Sequence, residues 1–531
     1  MRKPRFFTGM LVGLISTPAA VTVFYLAWQL LGLPFSPFDL FDWLARVMPG
    51  ALVTFGIDAL VSTIGFLGLG PVSEVAKAAE QLLALVIFGL LGAAGGGLVF
   101  GIARINGGAW TTPAAVAFGA ALAFIATKAS WSVHGSLPLA HAGWIVAVFL
   151  GWAVALRWAH AQLQPYAGED ASVQRLHRRR FLIRMGSSIA VFTVAGTSVG
   201  ALLARATDGR SGEASVEQIP WSMTGRFPNA HAPVQPAPGT RPELTPVGRH
   251  YRIDINLTPP VLREEDWRLW VNGLVDRPRA FTLEELKAYA AMHQFVTLSC
   301  ISNDVAGDLI GTQRWTGVSL QRLLGDLRLK GGATHLLIRS VDGFYEVVSL
   351  ETIERDQRVM LTYAWDGLPL STEHGFPLRI YIPDLYGMKQ PKWIESIEVI
   401  DSWMAGYWVR RGWSAEARVK TTSVIDTVAV QSLIDRDGET FVPIGGIAYA
   451  GARGISKVQV QIDGGDWLDA QLRIPLSMTS WVIWRFDWPF EEGRHTFAVR
   501  CFEADGTMQV MVESPVRPDG ATGIHSVGET L

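Results

Sequence analysis

Charge, cysteine and single-signed runs are all scarce in this chain, and each shortage removes a class of protein. Only 18% of the 531 residues are charged and the formal net charge is −2. No basic patch or stripe is available to hold a phosphate backbone, so nucleic acid is not expected as a partner. Two cysteines, Cys300 and Cys501, allow at most one disulfide and exclude a disulfide-built scaffold. No Cys-x-x-Cys-His stretch occurs, so no c-type haem attachment is expected. What is present is size and apolar mass. At 531 residues and 58.0 kDa the chain exceeds what one core organises, and two to four units are expected. The mean hydropathy is positive, yet 20 Trp and 28 Pro argue against a uniform helical bundle, so the chain reads as a composite.

The first part is a membrane unit. Apolar stretches lie at about 6–32, 51–70, 82–103, 113–132, 141–160 and 181–204, and roughly 20 apolar residues cross a bilayer core. Trp28, Trp43, Trp110, Trp131, Trp144 and Trp158 stand near their ends, where an amphipathic ring suits the headgroup level. The 51–70 stretch is the weakest, because Asp58 falls in its middle; a re-entrant course is open to it. Arg2, Lys3 and Arg5 precede the first stretch, and Arg175, Arg178, Arg179 and Arg180 precede the last. Both flanks are therefore predicted on the cytoplasmic side, which needs an even number of spans before Arg175: five spans in all satisfy that parity and six do not. Arg178 to Leu182 also reads either as an internal twin-arginine export signal or as an ordinary basic flank. His134, His141 and His160 lie at stretch ends and read as loop histidines rather than haem ligands.

After a transmembrane domain over 1–204, composition predicts a Pro/Gly-rich linker over 205–245, including Pro228 to Pro238. Mixed α+β patterning follows over 246–417, with strands at Trp267 to Val271, Phe295 to Cys300, His335 to Val341 and Phe344 to Leu350, and a helix after Thr282. Over 418–516 the strands alternate without helices. Val458, Val460 and Ile462 share a face before the turn Asp463 to Asp466, as do Phe497, Val499 and Cys501 later, which predicts an immunoglobulin-like β-sandwich with Cys501 as a buried apolar residue. Residues 517–531 are expected to be a tail.

Two constellations carry chemistry. Cys300 ends a strand and meets the polar loop Ile301 to Gly307, so its thiolate can face a cleft. Without a second cysteine or clustered histidines it cannot close a zinc site, and a metal here must bring most of its own ligands. In the run from His374 to Trp393, Leu378, Ile380 and Ile382 share one strand face and Arg379 and Tyr381 the other. Gly387 then allows close backbone approach, and Lys389 and Lys392 add positive charge. Taken alone that loop reads as a solvated basic loop; with His374 and Arg379 it suits a phosphate-bearing ligand.

In order along the chain, Thr297 to Asn303, Trp315 to Leu320, Asp342 to Phe344, His374 to Arg379, Lys389 to Trp393, Gly406 to Trp408 and Gly412 to Trp413 resemble the sulfite oxidase family of molybdopterin enzymes, over about 242–516. The resemblance implies a single molybdopterin with its molybdenum ligated by Cys300, and pterin or phosphate contacts from Tyr251, Ser340, His374, Arg379, Gln390, Pro391 and Lys392. It places Tyr407 near the metal as a catalytic residue and the β-sandwich where the family carries its dimerisation domain, which leaves room for a homodimer. Sulfite oxidases follow this cysteine with Ala-Gly-Asn-Arg-Arg, whereas here Asn303 is followed by Asp304 and Val305.

The expectation is a membrane-anchored oxidoreductase of the bacterial inner membrane whose soluble part faces the periplasm. It would transfer an oxygen atom to or from a small-molecule substrate other than sulfite and exchange electrons with an external carrier, a cytochrome or a quinone. Sulfite oxidation and methionine-sulfoxide-type reduction are the alternatives within the class. A cofactor-free membrane-tethered receptor or scaffold is the alternative outside it.

Overall fold

A computed structural model describes residues 6–67, 72–105, 110–134, 137–164, 171–211 and 227–531. Arg2, Lys3 and Arg5, and residues 212–226 of the expected linker, lie outside the described residues. Contacts divide the chain into a helical unit of Met1–Met48, Ala76–Val216 and Ile255–Thr258, and a second unit of Pro49–Val75, Glu217–Asp254 and Pro259–Leu531.

The helices are α1 (Phe6–Leu31), α2 (Ser36–Val47), α3 (Gly50–Leu67), α4 (Val72–Ile105), α5 (Thr111–His134), α6 (Leu139–Gln162) and α7 (Ala171–Ser211). Among the described residues five helices are long and apolar enough to cross a membrane, within α1, α4, α5, α6 and α7. The 51–70 stretch forms α3, which falls in the second unit and is not one of the five. Lipid offers no hydrophobic drive between helices, so close approach decides how they pack. On α1 and α4 it is reached through glycine: a side chain on Gly9 would lie 2.2 Å from the carbonyl oxygen of Gly96, and one on Gly13 2.0 Å from that of Gly92. Along α7, Gly186 faces Ile15, Gly196 faces Thr22 and Gly200 faces Tyr25, so α1 and α7 run parallel.

Among the described residues of this unit two carboxylates are buried, and both are satisfied. Asp39 accepts from Ser130 (2.5 Å) and faces His134 Nε2 (3.1 Å). Asp42 accepts from the Leu257 backbone N–H (3.1 Å), while Arg46 and Lys77 donate to Asn256. His160 meets the Gln164 amide at 2.9 Å.

In the second unit, one sheet joins β1 (Leu269–Gly273), β2 (Arg279–Phe281), β5 (His335–Ser340), β6 (Tyr345–Ser349) and β10 (Ile394–Ile400) in the order β2-β1-β10-β5-β6. Another runs β3 (Ala291–Ser299), β4 (Ile310–Ser319), β7 (Met360–Trp365) and β8 (Leu368–Pro369), with β9 (Arg379–Tyr381) also paired to β7. The capping box of Thr282 and Glu285 starts α8 (Leu283–Lys287), and Ser319 caps α9 (Leu320–Leu327). Leucines of both helices fill the core that Leu269, Ile338, Ile380 and Ile397 share.

The C-terminal region is β-rich. One sheet holds β11 (Thr422–Val428), β12 (Ile434–Arg436), β13 (Glu439–Tyr449), β16 (Gln471–Leu472) and β17 (Val482–Pro489); another holds β14 (Ile455–Ile462), β15 (Trp467–Asp469), β18 (Arg494–Glu503) and β19 (His525–Thr530). In β14 and β18 Val458 pairs with Cys501, Val460 with Val499 and Ile462 with Phe497. These side chains meet Ile444 and Trp484 of the other sheet in one core, and Cys501 is fully buried there.

Two stretches expected to lack structure have it. The helical pattern of α7 continues to Ser211, and from Phe227 onward the Pro-rich stretch packs rather than spans: Arg473 donates to Val234 O, Asn229 O and Glu243, and Ala232 and Ala237 are buried. Proline rigidity lets such a segment lie along a surface at little entropic cost. The expected tail, 517–531, forms β19, whose backbone pairs with β18 from Arg494↔Thr530 to Val499↔His525.

Candidate active site

β3 pairs with β4 from Ala291↔Val318 to Ser299↔Ile310, which fixes the position where the strand stops. The loop that follows is closed by its own hydrogen bonds: Cys300 N–H to Leu309 O (2.9 Å), Leu309 N–H to the Asn303 side chain (2.7 Å) and Gly307 N–H to Asp304 O (2.9 Å). Cys300 is thus held at the strand end, 8% exposed, with its Sγ 3.0 Å from Ser302 Oγ. Burial pushes the thiol up, and hydrogen bonding from Ser302 opposes that. Asp304 stands exposed in the same loop.

Tyr251 shares the Cys300 cluster together with Trp315, Trp365 and Tyr381. Its hydroxyl is buried without a partner and lies 2.8 Å from where a side chain on Gly387 would begin, so only glycine fits there. The turn Gly387–Lys389 therefore rests its backbone on Tyr251 and on the end of β3. The turn is fixed by Gln390, whose amide donates to Ile382 O (3.2 Å) and Leu385 O (2.8 Å), and by Pro391, whose carbonyl accepts from Ile380 N–H (3.2 Å). Lys389, which the sequence suggests as a cation for phosphate, is instead consumed by a buried ion pair with Glu346 at 2.9 Å.

Arg379 stands on the opposite face of β9 from the Leu378, Ile380 and Ile382 core, as the alternation requires. The guanidinium stacks 4.7 Å from the Trp315 ring centre and donates to His374 O (3.1 Å), while its Nε has no partner. His374 sits 4.4 Å from Trp365 and 5.6 Å from His250, ring centre to ring centre. Lys392 donates to Glu373 O (3.0 Å) and reaches Asp254 at 3.4 Å, and Asp254 also takes Arg252 at 2.7 Å. Ser340, buried with its hydroxyl unpartnered, pairs through its backbone with Ile394, next to Lys392 and Trp393.

Burial sets the charge states. It pushes His250 down to about 4 and His374 well below the usual histidine range, so both are neutral. It lowers Arg379 to about 10 and Lys392 to about 8, and both still carry charge at neutral pH. Lys392 feels the carboxylates of Asp254 and Asp342 against the charges of Arg379 and Arg252. Buried polar atoms are ordinarily paired, yet Tyr251 Oη, Arg252 Nη2, Arg379 Nε, Ser340 Oγ and Ser371 Oγ are not. An excess of cation with donors lacking acceptors fits a phosphate-bearing ligand, which brings oxygens to both.

Tyr251 thus stands between Cys300 and the group formed by Arg379, His374 and Lys392, with Gln390 and Pro391 shaping the neighbouring turn. Tyr407 is placed by other groups: its N–H donates to Tyr345 O, and its ring packs on Phe344, Trp408 and the Arg411 guanidinium, the last 3.6 Å away. His250, Arg252 and Trp365 were not legible as site residues, although the dense run Arg249 to Arg252 around Tyr251 carried a signal.

A buried thiol near a cationic, acceptor-seeking pocket suits an anionic organic ligand. The sequence profile of the oxidoreductase molybdopterin binding domain matches residues 256–408. Human mitochondrial sulfite oxidase is 26% identical over 49% of this chain and 56% of its own length. The soybean (Glycine max) inducible nitrate reductase [NADH] 2 is 28% identical over 48% of this chain and 34% of its own. A subunit assigned to protein-methionine-sulfoxide reductase, YedZ1 of Azospira oryzae, is 31% identical over 35% of this chain and 68% of its own. The sulfane dehydrogenase SoxCD of Paracoccus pantotrophus matches 60% of this chain and 89% of that one, with a TM-score of 0.47 and 21% identity. The chain spans about half the length of human sulfite oxidase and a third of the nitrate reductase. It belongs to the sulfite oxidase family of molybdopterin-dependent oxidoreductases: a molybdenum enzyme whose cofactor is molybdopterin.

Proposed function

We propose that this chain is a membrane-anchored oxidoreductase that transfers an oxygen atom at a molybdenum ligated by Cys300, on a substrate other than sulfite. The observation that carries the reading is the buried thiol at the end of β3 beside the unpartnered donors of Tyr251 and Arg379. Bound there, the cofactor supplies two-electron oxo-transfer chemistry. The protein's own residues bind and orient. Arg252, Arg379 and Lys392 would hold phosphate, with His250 and His374 neutral beside them. Tyr251, Ser340, Gln390 and Pro391 would shape the pterin cradle, and Tyr407 would act nearer the substrate.

Sulfite is a doubly charged anion and needs cations where it enters a partly desolvated pocket. The metal loop offers Asp304 and Val305 instead, and each missing charge-assisted hydrogen bond costs about 1.5–3 kcal/mol of binding. Reduction of a sulfoxide is the second reading, favoured by the likeness to the methionine-sulfoxide reductase subunit. We expect sulfite to be turned over poorly and a sulfoxide or N-oxide preferentially, in steady-state assays with artificial electron donors and acceptors. A micromolar sulfite KM with fast turnover would overturn this assignment.

The same reading extends to the remaining parts. We assign 246–417 to the cofactor domain and the strands after 418 to an immunoglobulin-like sandwich able to mediate a homodimer. Electrons would pass to or from a cytochrome or quinone, and the soluble part would face the periplasm of a bacterial inner membrane. Parallel α1 and α7 support that topology, because both then start on the same side, as their basic flanks require.

A further inference from the structure

Within the helical unit, α1, α6 and α7 enclose an open cavity of about 820 Å³, inside the roughly 300–1,000 Å³ range of ligand pockets. Along α6 its lining extends from Trp144 to Gln162, about 27 Å at a helical rise of roughly 1.5 Å per residue, close to the thickness of a bilayer core. The walls are apolar and small in the middle. At Gly151, which lines the cavity, an added side chain would meet no atom within 4 Å, in contrast to the glycines that α1 and α4 press together. The space is therefore not a helix contact.

Ser16, which accepts from Trp152 Nε1–H at 2.8 Å, and Ser188 are neutral polar groups of the lining, and charge stands at one end. There Trp158 packs on Phe181 at 5.6 Å, and Gln162 and Arg184 complete the lining. Arg184 lies inside the apolar helix Leu176–Leu202, exposed, and its guanidinium has no anionic partner among the described residues. One turn inside the apolar stretch, next to the flank of Arg178 to Arg180, its guanidinium can reach headgroup level. A zwitterionic headgroup carries its own cation beside its phosphate, whereas an anionic headgroup offers the guanidinium paired phosphate oxygens whose charge nothing else in the lipid offsets.

We propose that this cavity is a specific site for one anionic phospholipid, its phosphate on Arg184 and an acyl chain lying along α6 past Gly151. The chemistry selects charge at one end and apolar length along the rest.

The test is native mass spectrometry of the full chain in detergent, offered phosphatidylglycerol, phosphatidylcholine or a long-chain quinone, with Arg184→Gln and Gly151→Leu as variants. Wild type should retain one phosphatidylglycerol with at least tenfold preference over phosphatidylcholine. Arg184→Gln should lose the preference, and Gly151→Leu, which fills open space, should lose the lipid while its circular dichroism is unchanged. If Gly151→Leu disturbs folding, Ala147→Leu replaces it on the same wall. Equal retention by wild type and Arg184→Gln, displacement of the phospholipid by quinone, or no retained lipid in wild type would each overturn the proposal. Molybdenum content, measured in parallel, reports separately on the catalytic assignment.

Discussion

Cys300 and the two neutral histidines hold their roles for different physical reasons, and each reason predicts a behaviour. The thiol is positioned by the β3 ladder and by the loop hydrogen bonds at Cys300, Asn303 and Leu309, none of which uses the sulfur. Cys300→Ser should therefore leave a folded protein that still retains pterin through Arg379 and Lys392 but has no turnover. Activity within a factor of two of wild type, with pterin measured by fluorescence after release, would rule out the ligand role. His250 titrates near 6.5 when unfolded and about 4 when folded, because burial opposes its charge, and His374 is displaced in the same direction. Below pH 6.5 the unfolded chain takes up protons first. Stability is thus full above pH 6.5 and falls as pH drops toward 4, by on the order of 3 kcal/mol for His250 alone. Melting temperatures at pH 7.5 and 5.0 should fall steeply for wild type and less for His250→Gln; equal slopes would refute the link.

At the scale of elements, the site depends on segments that do not contain its chemistry. The Gly387 turn is seated by the buried Lys389–Glu346 pair, and the neighbouring Tyr386 receives the Lys420 N–H on its hydroxyl and has Gly520 pressed against it, 2.4 Å from where a side chain would begin. Gly520 lies in what composition presents as a tail, and the strand beyond it closes the edge of β18. Removing residues 517–531 should cost at least about 3 kcal/mol, since several ladder hydrogen bonds at roughly 0.5–1.5 kcal/mol each are lost and an edge is exposed. A truncated chain that melts within two degrees of the full one would show the strand to be dispensable. The alternation of β14, β18 and β9 was readable in advance because one-sided burial imposes a period of two. The tail was not, because β19 supplies mainly backbone to its partner, and its side chains are mostly exposed.

For the whole molecule, the arrangement of charge along the chain sets a direction in the membrane. Five candidate spans and parallel α1 and α7 let both helices start on one side, and with basic residues preceding both in the sequence we expect that side to be cytoplasmic and the chain after α7 to lie across the membrane. Protease added to intact spheroplasts should therefore reach the chain beyond Ser211. Protection there, with cleavage only in inverted vesicles, would reverse the topology.

By itself the sequence determined the composite character, the apolar spans, the strand ending at Cys300 and the facing of Arg379 away from the Leu378 core, because hydropathy and side-chain period are local properties. It also determined the family, since the ordered motifs from Thr297 to Trp413 lie in one continuous stretch. Tertiary structure alone decided which cations remain for a ligand. Lys389 and Lys392 are three residues apart and look alike, yet one meets the buried Glu346 from β6 and the other shares Asp254 with Arg252. It also decided that His250 joins His374, and that Tyr407 packs with Phe344 and Arg411. These pairings join residues distant in sequence, and in a buried site the partner, not the residue type, sets charge and availability.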